Sequence, residues 1–238
     1  HLGEGAAAAL ITDRGLVEAG VAQKVEHVLT SAGCRVETFQ AVKPNPDEEL
    51  VAEVTEFIKS AGVSHVVALG GGSALDAGKA GACMTTNEGS LEDYQWNGRS
   101  FENEPLPLIA LPTTAGTGSE VTGVAVITSR NTKKGLVDRH IFPKIALVDP
   151  ELMLSLPPYV TAITGMDALT HAIEAYLGLG SNEITDSIAE RAIGLVGRYL
   201  PRAYANGNDM EARYYMAVAN TMAGAAMDQA GLGIVHSM

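Results

Sequence analysis

Short apolar runs and longer amphipathic stretches alternate over the first two-thirds of the chain. AAALIT (7–12), CRVETF (34–39), HVVALG (65–70), LPLIALP (106–112), VAVITS (124–129) and IALVD (145–149) have the length and make-up of strands. Between the first two, GLVEAGVAQKVEHVLTSAG (15–33) sets Val17, Val21, Val25 and Val28 or Leu29 on one helical stripe. PDEELVAEVTEFIKSAG (46–62) opens on Pro46 and acids and closes on Gly62, the punctuation of a helix. This rhythm predicts a mostly parallel sheet covered by helices. From about residue 157 the period changes. Residues 157–178, 182–207 and 209–231 all repeat with helical spacing, and Pro201 is expected to end or kink the second. The pattern predicts an α/β domain over 1–156 and an all-α domain over 157–238, with SLPP (155–158) at the boundary.

Composition narrows the classes. With 238 residues and 46% hydrophobic content the chain can bury one large core or two modest ones. A net charge of −12 argues against nucleic acid or an anionic membrane as the main partner. No run approaches the roughly 18 apolar residues of a spanning helix, and nothing at the start resembles a signal peptide. Cys34 and Cys83 form no CxxC pattern and no disulfide framework, so a reducing, cytoplasmic home is expected. The chain starts at His1 without an initiator Met and stops at Met238 inside a patterned segment, so a fragment of a longer chain is expected.

Three stretches carry candidate chemistry. In ALGGGSALDAGKA (68–80) a buried strand runs through three glycines and Ser73 into a helix. Glycines admit an anion close to backbone N–H groups, and a helix N-terminus adds its positive end, so the stretch reads as a phosphate cradle or a tight strand–helix turn. It is neither GxGxxG nor a P-loop. Asp76 and Lys79 either pair locally or point at the site. ALPTTAGTGSEVT (110–122) is a second strand end leading to a hydroxyl-rich, glycine-rich loop. Two such loops after neighbouring strands suit the crevice where open α/β sheets bind ligands. Asp13 closes the first strand and reads either as a helix N-cap or as a carboxylate for the ribose hydroxyls, the latter favouring NAD over NADP. In GMDALTHAIEAY (165–176), Asp167 and His171 stand at i and i+4 on one face of an apolar helix, as a buried ion pair, a cap or two metal ligands. GLGIVHSM (231–238) adds His236, whereas His1, His27, His65 and His140 read as structural or surface residues.

GGGSALDAGK, LPTTAGTGSEVT, DPEL, GMDALTHAIEAY and GLGIVHSM, in this order, resemble the iron-containing (group III) alcohol dehydrogenases from about residue 10 to the end. The resemblance implies an N-terminal dinucleotide-binding domain and an all-helical C-terminal domain, here cut short, in the architecture shared with dehydroquinate synthase. It implies NAD, with NADP less favoured, in a cleft beside a divalent ion, Fe(II) or Zn(II). Carried over, Asp13 and Asn45 serve the adenosine ribose end, and Gly71, Gly72 and Ser73 the pyrophosphate. Thr113, Thr114, Thr117 and Thr122 line the cofactor, with Val126 and Leu152 packed against it and Lys133 or Lys134 reaching it. Asp167, His171 and His236 become metal ligands and the catalytic centre. A fourth ligand and a substrate-facing histidine of the family fall beyond Met238. The implied reaction interconverts a small-molecule alcohol with its aldehyde or ketone; a homo-oligomer, no nucleic-acid partner and no membrane partner are expected. The alternatives are a glycerol dehydrogenase-like, maleylacetate reductase-like or dehydroquinate synthase-like activity on this architecture, or a non-catalytic NAD-binding remnant.

Overall fold

A computed structural model describes residues 5–237; His1 and Met238 lie outside that range. Residues 5–111 and 123–147 form one compact unit, and residues 112–122 with 148–237 form a second. The division is therefore not contiguous in sequence: the hydroxyl-rich loop belongs with the helices, which a single boundary near residue 156 does not describe.

The first unit holds a five-stranded sheet in the order β2-β1-β3-β4-β7. Its strands are β1 (Ala7–Ile11), β2 (Arg35–Phe39), β3 (His65–Gly70), β4 (Leu108–Pro112) and β7 (Ile145–Ala146). β1 runs parallel to β2 and β3, and β4 parallel to β7. Chain order reverses at β1, so the carboxyl ends of β1 and β3 flank a switch point, where such sheets bind ligands. Helix α3 (Glu48–Ala61) is N-capped by Asp47, whose carboxylate accepts from Leu50 N–H at 2.8 Å, and stops at Gly62 in the left-handed region. Its Leu50, Val54 and Ile58 pack with Ile11, Val66 and Leu75 in the main core. Burial of each such side chain is worth about 1.5–3 kcal/mol. Helix α4 (Gly72–Thr86) covers β3.

Two expectations need correction here. Residues 15–33 are not one helix: α1 (Arg14–Glu18) and α2 (Val21–Ser31) are separated by Gly20, whose φ of 75° no helix tolerates. Within α2 the expected stripe holds through Leu29: Val21 and Val25 are buried and Leu29 is half-buried, whereas Val28 is exposed. VAVITS does not join the parallel sheet. It is β5 (Val124–Ser129), paired antiparallel with β6 (Thr132–Val137) as a separate hairpin. Arg130 and Asn131 both have positive φ, 51° and 57°, as a two-residue turn of this hand requires. A short helix, α5 (Leu91–Gln95), packs on the hairpin: Gln95 Nε2 donates to the carbonyls of Ile127 and Lys134.

The second unit is built on α6 (Pro158–Leu177), α7 (Glu183–Ala205) and α8 (Met210–Ala230), followed by a short α9 (Ile234–Ser237). Pro201 does not end α7, which runs on to Ala205; the proline only withdraws one N–H from the last turns. The three long helices meet through alanines. Ala172, Ala192 and Ala223 are fully buried, as are Ala175, Ala189 and Ala226. The larger side chains of α6, including Tyr159, Ile163, Met166 and Leu177, are exposed. Among the described residues no helix is long and apolar enough to cross a membrane.

Candidate functional site

On α6, Asp167, His171 and Glu174 follow at i, i+4 and i+7 and share one face. Asp167 is partly exposed, and His171 is buried. His236 arrives from α9, and its ring stacks on that of His171 with centroids 4.2 Å apart. Asp167 Oδ1 lies 3.4 Å from His236 Nε2 and 4.0 Å from His171 Nε2. One donor atom from each of the three residues falls within 4.8 Å of the others.

What the second ring nitrogens do decides the chemistry. His171 Nδ1 donates to the Gly116 carbonyl at 3.0 Å, and His236 Nδ1 donates to Glu174 Oε2 at 2.6 Å. With Nδ1 engaged in both rings, the two Nε2 atoms lie on the side of Asp167, where the neutral form of each ring offers a lone pair. Burial holds the His171 imidazole below its ordinary pKa, against the pull of Asp167, so the ring is neutral near pH 7. Burial works to raise the Glu174 carboxyl, but hydrogen bonds from His236, Gly233 and Val235 outweigh it and the net shift is downward. Val235 N–H reaches Glu174 Oε1 at 2.6 Å, and a Cβ on Gly233 would stand 2.9 Å from that same oxygen. The glycines of GLGIVH thus let the chain close over the Glu174 carboxylate. Two imidazoles and one carboxylate with a common focus are a donor set that fits Fe(II) or Zn(II).

The loop 112–122 is fixed to α8. Gly118 has φ 62°, its N–H donates to Asn220 Oδ1 at 3.1 Å, and a Cβ there would meet Gly224 Cα at 2.6 Å. Asn220 in turn donates to the buried Glu120 at 2.9 Å. The anchoring holds the Gly116 carbonyl where His171 needs it. Thr113 and Thr122 are buried, and Thr114 and Thr117 are half-buried. Thr117 Oγ1 accepts from Ser119 N–H at 3.4 Å, and Thr122 Oγ1 donates to Ser119 O at 3.5 Å. Leu152 is buried in a short 3-10 turn, Pro150–Met153.

In the α/β unit the expected nucleotide residues cluster at the switch point. Gly71 precedes α4 with no side-chain cap on the helix N-terminus. At neighbouring Gly70 a Cβ would sit 2.6 Å from Ala74 Cβ and 3.6 Å from Asp13 Oδ2, so the turn closes against the end of β1. Asp13 N-caps α1, its Oδ1 accepting from Leu16 N–H at 3.1 Å, which leaves Oδ2 toward the turn. Asn45, at φ 56°, donates its N–H to Ser73 Oγ at 3.3 Å. The two lysines of the hairpin face opposite ways. Lys134 packs its ammonium over the Trp96 ring at 4.0 Å, whereas Lys133, opposite Thr128 and next but one to Gly135, shares the exposed face of Val126.

Glu174 and the Gly116 carbonyl were missed by sequence reasoning. Glu174 stood in the quoted GMDALTHAIEAY run at i+3 from His171, a legible spacing. The Gly116 carbonyl had no signal, since it depends on how a distant loop docks.

Comparison with known proteins identifies the family. The family model for iron-containing alcohol dehydrogenase matches residues 1–150, and that for the C-terminal part of the Fe-containing alcohol dehydrogenase family matches residues 161–238. The chain is 44% identical over 231 residues to alcohol dehydrogenase 4 of Schizosaccharomyces pombe, covering 96% of this chain and 54% of that protein. It is 44% identical over 233 residues to the NAD-dependent methanol dehydrogenase of Bacillus methanolicus, covering 97% and 61%. The crystal structure of sulfoacetaldehyde reductase from Bifidobacterium kashiwanohense in complex with NAD+ superposes with a TM-score of 0.92 at 40% identity, covering 98% of this chain and 62% of that one. The chain thus spans a little over half of the length of these relatives. With both family models matched in tandem and the fold shared at this identity, the chain belongs to the iron-containing alcohol dehydrogenase family.

Proposed function

We propose that this chain serves an NAD-dependent, metal-dependent oxidoreductase that interconverts an alcohol and its aldehyde or ketone. The convergence of Asp167, His171 and His236, with both second ring nitrogens tied down, carries the reading. Asp167, His171 and His236 would hold a divalent ion that would supply Lewis acidity toward an alcohol oxygen, and NAD would supply the hydride acceptor.

The chain's own residues do the rest. Asp167 contributes the one formal negative charge among the three donors. His171 stays neutral because it is buried, so it offers a lone pair rather than a competing proton. The carbonyl of Gly116 and the carboxylate of Glu174 hold the two rings in the tautomer that aims Nε2 inward. In the α/β unit, the Gly71–Ser73 turn and the N-terminus of α4 suit a pyrophosphate, and the free Oδ2 of Asp13 suits a ribose diol. A 2′-phosphate would meet that carboxylate's charge, which favours NAD over NADP. The NAD-dependent methanol dehydrogenase and the NAD+-bound sulfoacetaldehyde reductase among the relatives support the same choice.

The test is His171→Ala. Equilibrium dialysis against Zn(II) or Co(II) should show loss of tight binding, about 100-fold or more, by analogy with the effect of disturbing a ligand shell. NADH binding, measured by calorimetry, should stay within about threefold, since the nucleotide turn belongs to the other unit. A variant that retains stoichiometric metal sinks the assignment.

A further inference from the structure

Gly116 and Gly118 stand two residues apart in the loop 112–122, and each is fastened to a different helix. The Gly116 carbonyl accepts from His171 Nδ1 on α6, and Gly118 N–H donates to Asn220 Oδ1 on α8. The first bond belongs to the donor cluster. The second is held by an asparagine that the proposed function leaves without a role.

Asn220 is wholly buried, and Glu120 is 1% exposed. A side-chain amide offers an acceptor and a donor at once. Asn220 turns both on the same loop: Oδ1 takes Gly118 N–H, and Nδ2 donates to Glu120 Oε1 at 2.9 Å. Thr221 Oγ1 reaches that same carboxylate oxygen at 3.3 Å. A buried N–H has to be satisfied, and bonds to a carboxylate are stronger than neutral ones, so the loop is firmly held on α8. One turn beyond Asn220, a Cβ on Gly224 would stand 2.9 Å from Gly118 Cα.

The α6 side is as close. A Cβ on Gly116 would stand 2.8 Å from Thr164 Cβ and 3.1 Å from the Thr164 carbonyl oxygen. Thr164 precedes His171 by seven residues, about two turns along the same face. The segment is thus seated between α6 and α8 with no room for a side chain at either glycine. Asn220 reaches His171 through it: two residues of backbone separate the N–H that Asn220 holds from the carbonyl that holds the ring.

We propose that Asn220, backed by Glu120, is a positioning residue that sets the Gly116 carbonyl from α8, and so decides which nitrogen of His171 carries the proton and which faces the donor cluster. The inference rests on the metal-binding reading above. It gives a buried polar pair on α8 a task in ligand orientation rather than in stability alone.

The experiment measures Zn(II) affinity of the full chain by competition with a chelator. It also reads the His171 tautomer from nitrogen NMR shifts of the metal-free, histidine-labelled protein, where the unsubstituted chain should show the Nδ1–H form. Asn220→Ala should lower Zn(II) affinity about tenfold and give a mixture of the two tautomers. Glu120→Gln keeps an oxygen for the Asn220 amide and should stay within about threefold of the unsubstituted chain. Ala203→Gly, at a buried helix position in the cluster that holds Ala212, controls for stability: it should lower Tm and leave affinity and tautomer unchanged. Where Asn220→Ala does not fold, Asn220→Ser, too short to hold Gly118 and Glu120 together, should show the same two changes. A folded Asn220 variant with a lower Tm but unchanged Zn(II) affinity and an unchanged tautomer overturns the inference. So does an equal loss of affinity in Ala203→Gly. Failure of the unsubstituted chain to bind Zn(II) overturns the metal reading itself, while the tautomer, read without metal, still tests the role of Asn220.

Discussion

His171 and His236 owe their usefulness to what their far nitrogens hold. An imidazole whose Nδ1–H is engaged presents Nε2 as a lone pair, and the residue doing the engaging sets how firmly the ring is aimed. For His236 that residue is Glu174, which is buried and also receives Val235 N–H. Glu174→Gln keeps the shape but weakens both bonds, and it should lower Zn(II) affinity by about 10- to 100-fold as read by competition with a chelator. A different single residue shows what burial does to a thiol that donates to the His140 carbonyl. The Cys83 thiol is pushed up to about 12, first by burial and then by the nearby carboxylates of Asp138 and Glu104. At pH 8 only about one thiol in ten thousand is then thiolate, so Cys83 should stay unmodified by iodoacetamide in the native protein, as mass spectrometry can check. Rapid native alkylation at Cys83 would contradict the packing around it.

Among the elements, α6 shows where periodicity misleads. Its exposed side is the more apolar one, with Tyr159, Ile163, Met166 and Leu177, while the buried side carries Ala168, Ala172 and Ala175. Small residues let helices approach closely, and the contact rather than the side-chain size makes the core. Inserting bulk there should be costly. Ala192→Leu should lower stability by about 1–3 kcal/mol in chemical denaturation, whereas Ile184→Ala, at an exposed site of the same helix, should stay within about 0.5 kcal/mol. Equal effects would show that the alanine seam is not close-packed. The boundaries of the long helices were legible because caps and breakers are local: Asp47, Asn182 and Asp209 each accept from a first-turn N–H, as a side-chain oxygen at that position does. The hairpin of residues 124–137 was not, since a six-residue apolar run reads alike whether its partner is parallel or antiparallel.

At the scale of the molecule, donors from distant parts of the sequence meet within the helical unit. Asp167 and His171 come from one helix, His236 from a segment 65 residues beyond His171, and the Gly116 carbonyl from a loop 55 residues before it. A ligand joining these segments stabilises them in proportion to its occupancy. At 100 times its dissociation constant, Zn(II) should add about 2.7 kcal/mol to the protection of α6 and residues 232–237 in hydrogen exchange. No change in those segments would remove the metal site from the functional account.

The residue types of the site, the order of its motifs and the strand–helix rhythm were determined by the sequence alone. Each depends on neighbours within about one or two turns of chain, where spacing and capping act directly. Tertiary structure decided the rest: that loop 112–122 joins the helices, that β5 pairs antiparallel with β6 outside the main sheet, and that Glu174 rather than a solvent molecule orients His236. Those outcomes turn on which backbone groups find partners far along the chain. A buried polar group must be satisfied somewhere, but its own sequence neighbourhood does not say where.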